Sequence, residues 1–454
     1  MVLNPFPYQE DAINFFVPRS NGPLIADCGL GKTCIFINVF VRKNLNRMLV
    51  ICPRSVMESA WMDDVPLFSD KTVEIIYHYK MDKRREMLNN STADIIVVNY
   101  EVIEKLYPEI VKKGFDMCVL DESTFIKNPT SKRTKAVLKL SKHIPNRFIA
   151  TATPGKSPER YWSQWAFIDP ETWDGKSFWK FRDKYFFEIK LPTGMSIWKY
   201  NINHDNEIRE RMYRNGIRLT KDECAPYLPE KIFELRIVDL PTKAMSAYNK
   251  MKKDSYIDDY DLAAFFSHTN RIKLKQIANG WVIDDERGRE RSVHQIHSEK
   301  INETEVIIDS LPENEPVIIW ANYKEEIDAL HKKFGFPTVC GSSKNPLQVI
   351  SDFKKGKLRG VIAHPQSVAH GVTWTICSHV IFFGLPDDVE LFSQAMDRVH
   401  RHGQKNIVNY FIILSRNTID MRLWENHKLS KAQEDRIHQS NYQQRNILIA
   451  IGEI

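Results

Sequence analysis

Short apolar runs alternate with amphipathic, helix-like segments along the first third of the chain. The runs are rich in β-branched residues, and they lie at 23–27, 48–52, 94–99, 117–120 and 148–151. Near-continuous apolar strands that alternate with helices are typical of a parallel sheet covered on both faces. The pattern therefore predicts an α/β lobe in this part of the chain.

The last third repeats the pattern, with apolar runs at 317–321, 338–340, 360–363, 379–384 and 407–414. The part between, roughly 156–300, lacks this alternation and is predicted to be mostly helical. The predicted fold class is α/β, with two parallel-sheet lobes and helical protrusions between them. Ligands of open α/β sheets bind beyond the C-terminal ends of the strands, where the polar motifs of this chain also lie.

Length, charge and cysteine content narrow the class of protein. At 454 residues the chain has room for two to three domains, and its net charge of +6 weakly favours a polyanionic partner. The seven cysteines form no C-x-x-C pair, which argues against zinc and suits a reducing compartment. No apolar run approaches the ~18–20 residues that span a bilayer, and no basic-then-apolar leader is present. We expect no membrane partner, and a cytoplasmic location in a bacterium or phage-infected host or a nuclear one in a eukaryote.

The sequence ADCGLGKT at 26–33 lies between the first apolar run and a helix-like segment. A glycine-rich turn between a strand and a helix directs backbone N–H groups and the helix N-terminus at phosphate oxygens. Lys32 is then expected to reach the β- and γ-phosphates of ATP, and Thr33 to bind Mg²⁺. Ala26 stands where the first glycine of G-x-x-x-x-G-K-[ST] belongs, so a plain Gly-Leu-Gly turn beside an exposed lysine is the alternative.

Two adjacent carboxylates, Asp121 and Glu122, follow directly on the apolar run at 117–120. An ATPase with a phosphate loop needs one carboxylate for Mg²⁺ and another to position or polarise the attacking water. Asp121 suits the first role and Glu122 the second, although the pair alone also fits a solvated strand end. Thr151 and Thr153 end another predicted strand, where their hydroxyls could bond these carboxylates or simply belong to a turn at a proline.

The segment QAMDRVHRHGQ at 394–404 contains two arginines, Arg398 and Arg401, three positions apart. On a helix they share one face. Guanidinium groups suit phosphate, and an arginine supplied across a domain boundary stabilises the charge of a transferring phosphoryl group. The alternative is a basic helix that faces nucleic acid or solvent.

In their order along the chain these motifs resemble those of helicase superfamily two, and more narrowly the Swi/Snf-type DNA-translocating ATPases. The resemblance covers residues from about 5 to 430, and its most specific part is the segment 394–404. The motifs that carry it are Tyr8-Gln9, DCGLGKT (27–33), ICPRSV (51–56), VVNYE (97–101), LDESTFIKN (120–128), TATPGKS (151–157), IHSEK (296–300), VIIWANY (317–323) and SVAHGVTWT (367–375).

The resemblance implies two RecA-like lobes with ATP in the cleft between them and duplex DNA across both. It assigns adenine recognition to Gln9, phosphate-loop positions to Gly29 and Gly31, and a contact on the γ-phosphate side to Gln404. The chain departs from the family pattern at Ala26, at Ser123-Thr124 in place of Ala-His, at Ala152 and at His370. None of these departures removes a charge that the chemistry requires, so we expect ATPase activity.

Five segments follow from this organisation. Residues 1–155 form the first lobe with the ATP loop, and 156–240 form a helical insertion in it. Residues 241–300 form a helical protrusion and linker of the second lobe, 301–415 form the second lobe with the arginine pair, and 416–454 form a C-terminal helical brace.

A motor that tracks a strand needs phosphate contacts from both lobes, and polar groups at strand ends can supply them without reading bases. Each candidate is equally an ordinary polar loop residue. The candidates are Arg54, Ser55, Asn99, Tyr100 and Lys127 in the first lobe, and Ser342, Gly371, Thr373 and Trp374 in the second. Residues 161–200 hold thirteen aromatics. We favour a satellite helical core for them over base stacking.

We expect a DNA-dependent ATPase that translocates on double-stranded DNA by ATP-driven closure of two lobes, with ATP and Mg²⁺ as its cofactors. It would remodel protein–DNA or DNA structures, and a protein partner or the DNA structure would select its target. Three alternatives stay open: a strand-separating helicase or motor of a restriction or repair complex, a nucleotide-gated DNA clamp with little turnover, and an RNA-dependent ATPase.

Overall fold

The structure is a computed structural model, and it describes the residues in the ranges 3–155, 157–175, 177–190, 196–254, 256–257, 262–263, 267–284, 291–368 and 372–438. The chain divides into two compact units. The first extends to Pro226 and also includes the described residues 432–438, and the second covers Tyr227–Lys431.

The first unit is an α/β domain in which strands and helices alternate, as its apolar pattern predicts. Its elements in chain order are α1 (Pro7–Phe16), β1 (Asn21–Ala26), α2 (Lys32–Arg42), β2 (Met48–Cys52), α3 (Val65–Phe68), β3 (Val73–Ile75), α4 (Met81–Asn90), β4 (Ile95–Asn99), α5 (Ile103–Lys113), β5 (Met117–Asp121), α6 (Lys132–Leu140), β6 (Asn146–Thr151), α7 (Trp162–Ile168), α8 (Phe178–Tyr185), β7 (Phe186–Lys190), β8 (Ser196–Tyr200), α9 (Asp205–Tyr213), β9 (Ile217–Leu219) and α10 (Lys221–Cys224).

Seven of these strands form one parallel sheet in the order β3-β4-β2-β5-β6-β1-β9. The strands β2, β4 and β5 are buried at every position because separate apolar clusters cover the two faces of the sheet. This double coverage explains why the strands appear in the sequence as uninterrupted apolar runs. Because the strands are parallel, the C-terminal ends of β1 and β5, which carry the predicted site, lie along one edge of the sheet.

The second unit repeats the architecture with a smaller sheet. Its elements are β10 (Lys231–Val238), α11 (Thr242–Asp254), β11 (Tyr256–Ile257), β12 (Leu262–Ala263), α12 (Ser267–Asn279), β13 (Trp281–Asp284), β14 (Ser292–Gln295), α13 (Glu299–Ser310), β15 (Val317–Trp320), α14 (Lys324–Phe334), β16 (Thr338–Val339), α15 (Pro346–Lys354), β17 (Gly360–Ala363), β18 (His379–Phe382), α16 (Val389–Met396), β19 (Val408–Ser415) and α17 (Ile419–His438). Six strands pair in parallel in the order β10-β19-β18-β15-β17-β16.

Two parallel-sheet lobes in an α/β fold confirm the predicted fold class. The middle of the chain, however, is less helical than predicted. β9 extends the first sheet beside β1, β10 pairs along its whole length with β19, and β7 and β8 form an antiparallel hairpin. The division between the two units falls inside the predicted 156–240 segment. The predicted domain boundaries stay a prediction.

Among the helices that the structure describes, none combines the length and the apolar character that crossing a bilayer requires.

Candidate nucleotide-binding site

The turn between β1 and α2 has the backbone of a phosphate-binding loop. Gly29 and Gly31 take positive φ values of 88° and 74°, and Gly31 caps the N-terminus of α2. A Cβ on Gly31 would lie 2.2 Å from Nε2 of Gln9, so a larger residue would have to displace that side chain and would also be strained at this positive φ. Within the described part of the chain, no acceptor receives the N–H groups of Gly29 and Gly31. These free donors at a helix N-terminus make the turn suitable for an anion.

Gln9 supports this loop from α1. Its side chain is buried, and Nε2 donates a hydrogen bond of 3.1 Å to the backbone oxygen of Leu30. Its Oε1 accepts from the N–H of Phe6 at 2.9 Å, which closes the first turn of α1. Gln9 therefore holds the loop in shape, while its predicted contact with adenine stays a prediction.

Lys32 lies at the first position of α2, half-buried, and its Nζ donates to the backbone oxygen of Ala26 at 3.1 Å. Burial acts to lower the pKa of Lys32, but the electrostatic effects of the Cys28 thiol and of the carboxylates of Glu122, Asp121 and Asp27 outweigh it and raise that pKa above its ordinary value. The lysine is thus held as a cation. The same interaction shows that the phosphate loop and the acidic pair lie close together.

Asp121 is the last residue of β5 and is held from three directions. Nε1 of Trp61 donates to Oδ2 at 3.0 Å, and the N–H of Glu122 donates to Oδ1 at 3.1 Å. The Tyr100 hydroxyl donates to the Asp121 backbone oxygen at 2.9 Å. The carboxylate is buried and fixed in direction, as a metal ligand has to be.

Glu122 adopts a left-handed backbone conformation, with φ 52° and ψ 58°. A non-glycine residue in this region costs about 1–3 kcal/mol and persists where the surroundings impose it. The side chain is buried, and no donor among the described residues reaches its carboxylate. Thr33, at the second position of α2, is buried as well. The Glu122 carboxylate and the Thr33 hydroxyl can therefore still bind a cation or a water molecule.

The acidic pair is linked to the 151–155 turn by a glutamine. The Ser123 hydroxyl donates to Oε1 of Gln164 at 2.5 Å, and Nε2 of Gln164 donates to the backbone oxygen of Pro154 at 2.6 Å. Thr151 instead bonds within its own turn, to the backbone oxygen of Thr153 at 2.9 Å. The sequence suggested that the Thr151 hydroxyl could bond Asp121 or Glu122, and for Thr151 this is wrong. The connection between the acidic pair and the 151–155 turn instead runs from Ser123, one of the departures from the family pattern, through Gln164.

In the second unit, Arg398 and Arg401 converge on one short segment. Nη1 of Arg401 donates to the Thr373 hydroxyl at 2.8 Å, and Nη1 of both arginines approaches the backbone oxygen of Val372, at 3.5 and 3.4 Å. The predicted shared helix face is wrong, because α16 ends at Met396 and both arginines follow it. They still present their guanidinium groups at one place.

The side-chain amide of Gln404 bonds to backbone groups of its own unit, not to a position where the predicted phosphate contact would need it. It is buried, and its Nε2 donates to the backbone oxygens of Cys377 and Val399 at 2.8 and 3.3 Å. Its Oε1 accepts from the N–H groups of Lys405 and Asn406, both at 2.9 Å. Every hydrogen-bonding position of the amide is used, so Gln404 shapes the turn after the arginines.

The predicted DNA contacts of the first unit fall into two groups. Arg54 is exposed, with its guanidinium carbon 4.3 Å from the ring centroid of Tyr77, and Lys127 is half-buried. Asn99 and Tyr100 are buried, and Asn99 accepts from Arg84 at 2.9 Å. Only the first group presents side chains to a ligand at the surface. The side chain of Ser55 lies outside the described residues.

In the second unit, Ser342 is exposed and Thr373 is half-buried against Arg401. Trp374 is fully buried in the core on one side of the sheet. A buried indole leaves only backbone groups for a contact with DNA. Gly371, like His370, lies outside the described residues, so its predicted contact stays a prediction.

A buried polar network in the second unit was missed by the sequence reasoning. Nζ of Lys300, which is 0% exposed, donates to Oδ2 of Asp420 at 2.6 Å, to Oδ1 of Asn279 at 2.8 Å and to the backbone oxygen of Phe383 at 3.2 Å. Asn279 in turn donates to Oε1 of Glu326 at 2.6 Å. These bonds join α12, α13, α14 and α17. One feature of the sequence could have indicated this network: Lys300 lies among the buried positions of α13, and a buried charge needs a partner.

Comparison with protein families matches both units. The family model for the SNF2-related domain matches residues 8–301, and that for the helicase conserved C-terminal domain matches residues 299–403. The chain belongs to the SNF2-related family. The predictions of family and enzyme class are thereby confirmed: this SNF2-family chain is a helicase-like, nucleic-acid-dependent ATPase.

Individual relatives of this SNF2-family chain come from phages and from animals. Putative protein p41 of Acyrthosiphon pisum secondary endosymbiont phage 1 is 26% identical, over 95% of this chain and 97% of its own length. The SWI/SNF-related matrix-associated actin-dependent regulator of chromatin subfamily A-like protein 1 of Xenopus laevis is 27% identical over 93% of this chain. The human DNA annealing helicase and endonuclease ZRANB3 is 24% identical over 92%. This chain spans 43% and 39% of the lengths of these two animal relatives.

Among solved structures, the Sulfolobus solfataricus SWI2/SNF2 ATPase core in complex with dsDNA is 22% identical. The likeness covers 98% of both chains with a TM-score of 0.44.

Proposed function

We propose that the chain is a motor that uses ATP to move along double-stranded DNA without obligate separation of its strands. The observation that carries the proposal is the arrangement in the first unit of Lys32, Asp121 and Glu122 beside a glycine turn with free N–H donors. The family membership supports ATP as the nucleotide, and these groups are those that phosphoryl transfer to water requires.

The described residues fit a magnesium ion. Asp121 is a rigid buried carboxylate and Thr33 a buried hydroxyl, and hard oxygen ligands of this kind suit Mg²⁺. When bound, Mg²⁺ offsets the negative charge on the β- and γ-phosphate oxygens. Lys32 contributes a further positive charge to the same oxygens, and the N–H groups of Gly29 and Gly31 orient them.

Glu122 is the proposed water-positioning residue. Its carboxylate is buried but not hydrogen-bonded by the described residues, so it can accept a hydrogen bond from a water molecule and draw the proton from it. The left-handed backbone at Glu122 turns this side chain away from the direction that a regular strand would give it. The strain is thus tied to function, since a relaxed backbone would redirect the base.

Arg398 and Arg401 are the proposed arginine pair from the second unit. Their guanidinium groups share the 372–373 segment and so move as one group. Closure of the two lobes during the ATP cycle would bring them to the γ-phosphate, where they stabilise the charge of the transition state. Hydrolysis then depends on a closed state that DNA favours.

Double-stranded DNA is the proposed track. The net charge of +6 favours a polyanion, and two of the relatives named above are DNA annealing helicases or regulators of chromatin. Annealing produces paired strands, which agrees with a motor that keeps the duplex intact.

The proposal is tested by steady-state phosphate release in the presence of blunt duplex DNA, single-stranded DNA, double-stranded RNA, or no nucleic acid. We expect duplex DNA to stimulate turnover most. Equal turnover in all four reactions would contradict the proposed track, and stimulation by RNA alone would replace it with an RNA-dependent ATPase. Negligible turnover with every nucleic acid would favour a nucleotide-gated clamp.

A further inference from the structure

The aromatic segment at 161–200 divides into a core part and a surface part. Trp165, Trp173 and Tyr185 are at most 2% exposed and belong to the main apolar cluster on one face of the first sheet. Trp179 differs, because 54% of its surface is open to solvent. The expected aromatic core is therefore present, and one large indole is left outside it.

Trp179 belongs to a stacked group of three side chains, which we call the indole patch: Trp179, Arg182 and Trp198. The guanidinium carbon of Arg182 lies 4.7 Å from the ring centroid of Trp179 and 3.8 Å from that of Trp198. Trp179 and Arg182 are three apart on α8, and Trp198 reaches them from β8. In the described part of the chain, Nε of Arg182 is buried without a hydrogen-bond partner, and no carboxylate pairs with this guanidinium.

Positive charge surrounds the indole patch. Lys180, Lys190 and Lys199 are exposed, and within the described residues none of them forms an ion pair. Over α8, β7 and β8 the sequence holds five basic residues against two acidic ones. The hairpin also exposes Phe187 and Ile189, at 46% and 40%. A two-stranded hairpin with apolar groups in water is marginal alone, so this region fits a ligand that covers it.

We propose that the indole patch binds unpaired bases of single-stranded DNA, so that this motor engages duplexes that carry a single strand, such as branched DNA. An indole face stacks on any base, an arginine adds a cation–π contribution, and the lysines contact the backbone phosphates. Bases inside a duplex are stacked on each other and cannot reach these rings.

The identification of DNA as the ligand of the indole patch rests on the proposed function, but none of the patch residues belongs to the nucleotide site. Binding of single-stranded DNA by the patch and hydrolysis of ATP can therefore be tested independently. The direct test is fluorescence anisotropy of labelled oligothymidylate of about 20 nucleotides, without nucleotide present, for the wild-type chain and W179A. Because Trp179 is exposed, we expect W179A to fold like the wild-type chain.

We expect W179A to bind the oligonucleotide about tenfold more weakly, which corresponds to about 1.4 kcal/mol of lost stacking. W179F should stay within about threefold of wild type, because a phenyl ring still stacks. The matched control is Y79A: Tyr79 is 81% exposed beside Lys80, with Nζ 5.6 Å from the ring centroid, and lies outside the patch. Y79A should leave the affinity unchanged.

Salt dependence separates stacking from charge. W179A should lower the affinity equally at all salt concentrations, whereas a K180Q/K199Q variant should flatten the plot of log affinity against log salt by about 0.7 for each phosphate that the lysines no longer neutralise. Wild-type affinity in W179A, or an equal loss in W179A and Y79A, would overturn the proposal. Turnover stimulated by blunt duplex should be the same in W179A and wild type. A wild-type chain without such turnover would refute the motor and leave the binding result standing.

Discussion

Replacement of Lys300 by methionine should open the second sheet selectively. Lys300 donates to three acceptors and is 0% exposed, while its partner Asp420 is 3% exposed. Methionine keeps most of the volume but leaves the Asp420 carboxylate buried without its cation. Removal of one member of a buried ion pair costs about 3–5 kcal/mol, because the remaining charge is uncompensated.

The assay is hydrogen exchange followed by mass spectrometry on the full chain. Amides of β15 and β18, at the centre of the second sheet, report the free energy of opening that sheet. At about 1.4 kcal/mol per decade, a loss of 3–5 kcal/mol accelerates their exchange about 10²–10⁴-fold. Amides of β2 and β5 in the first sheet serve as internal controls and should exchange at the wild-type rate.

Two further variants sharpen the test. Arg416 pairs with Asp239 at 2.7 Å, but these side chains are 52% and 71% exposed, so R416M should cost less than about 1 kcal/mol. The double variant K300M/D420L removes both buried charges and should be less destabilised than K300M alone. A loss below about 1 kcal/mol in K300M, or a double variant worse than the single one, would refute the reasoning.

Three further predictions concern the nucleotide site. K32A should abolish DNA-stimulated phosphate release while much of the DNA binding remains, and full turnover would refute the phosphate-loop assignment. E122Q should bind ATP normally but lower kcat by about 10²–10⁴, as loss of a general base does, which single-turnover hydrolysis would show. R401A should keep ATP affinity and lower kcat by about 10³ or more. A loss below tenfold in R401A, with R416M as a surface-arginine control, would argue against its role in hydrolysis.

Much of the fold was predictable because buried parallel strands leave a plain pattern. The run at 48–52 coincides with β2, and that at 360–363 with β17. The strands that escaped prediction lie at sheet edges or outside the sheets. β9 has three residues, and β10 is mostly exposed along its length, so neither shows a continuous apolar run.

The acidic pair and the phosphate loop were predictable neighbours, since parallel strands bring their C-terminal ends to one edge. The details around them were not. Ser123 and Gln164 are 41 positions apart, and no local pattern links them. Glutamate has no preference for left-handed backbone, so the conformation of Glu122 leaves no signal in the sequence. The place of Arg398 beyond the end of α16 depends on where that helix stops, and helix ends are the least regular feature of the pattern.

Triplex displacement tests the central claim most directly. A third strand bound to duplex DNA is removed by a motor that travels along the duplex, and the same chain is offered a forked duplex of equal length in a parallel reaction. The account predicts ATP-dependent release of the third strand, with the forked duplex still paired. Failure to release the third strand under conditions where duplex DNA stimulates ATP hydrolysis, or separation of the fork, would contradict it.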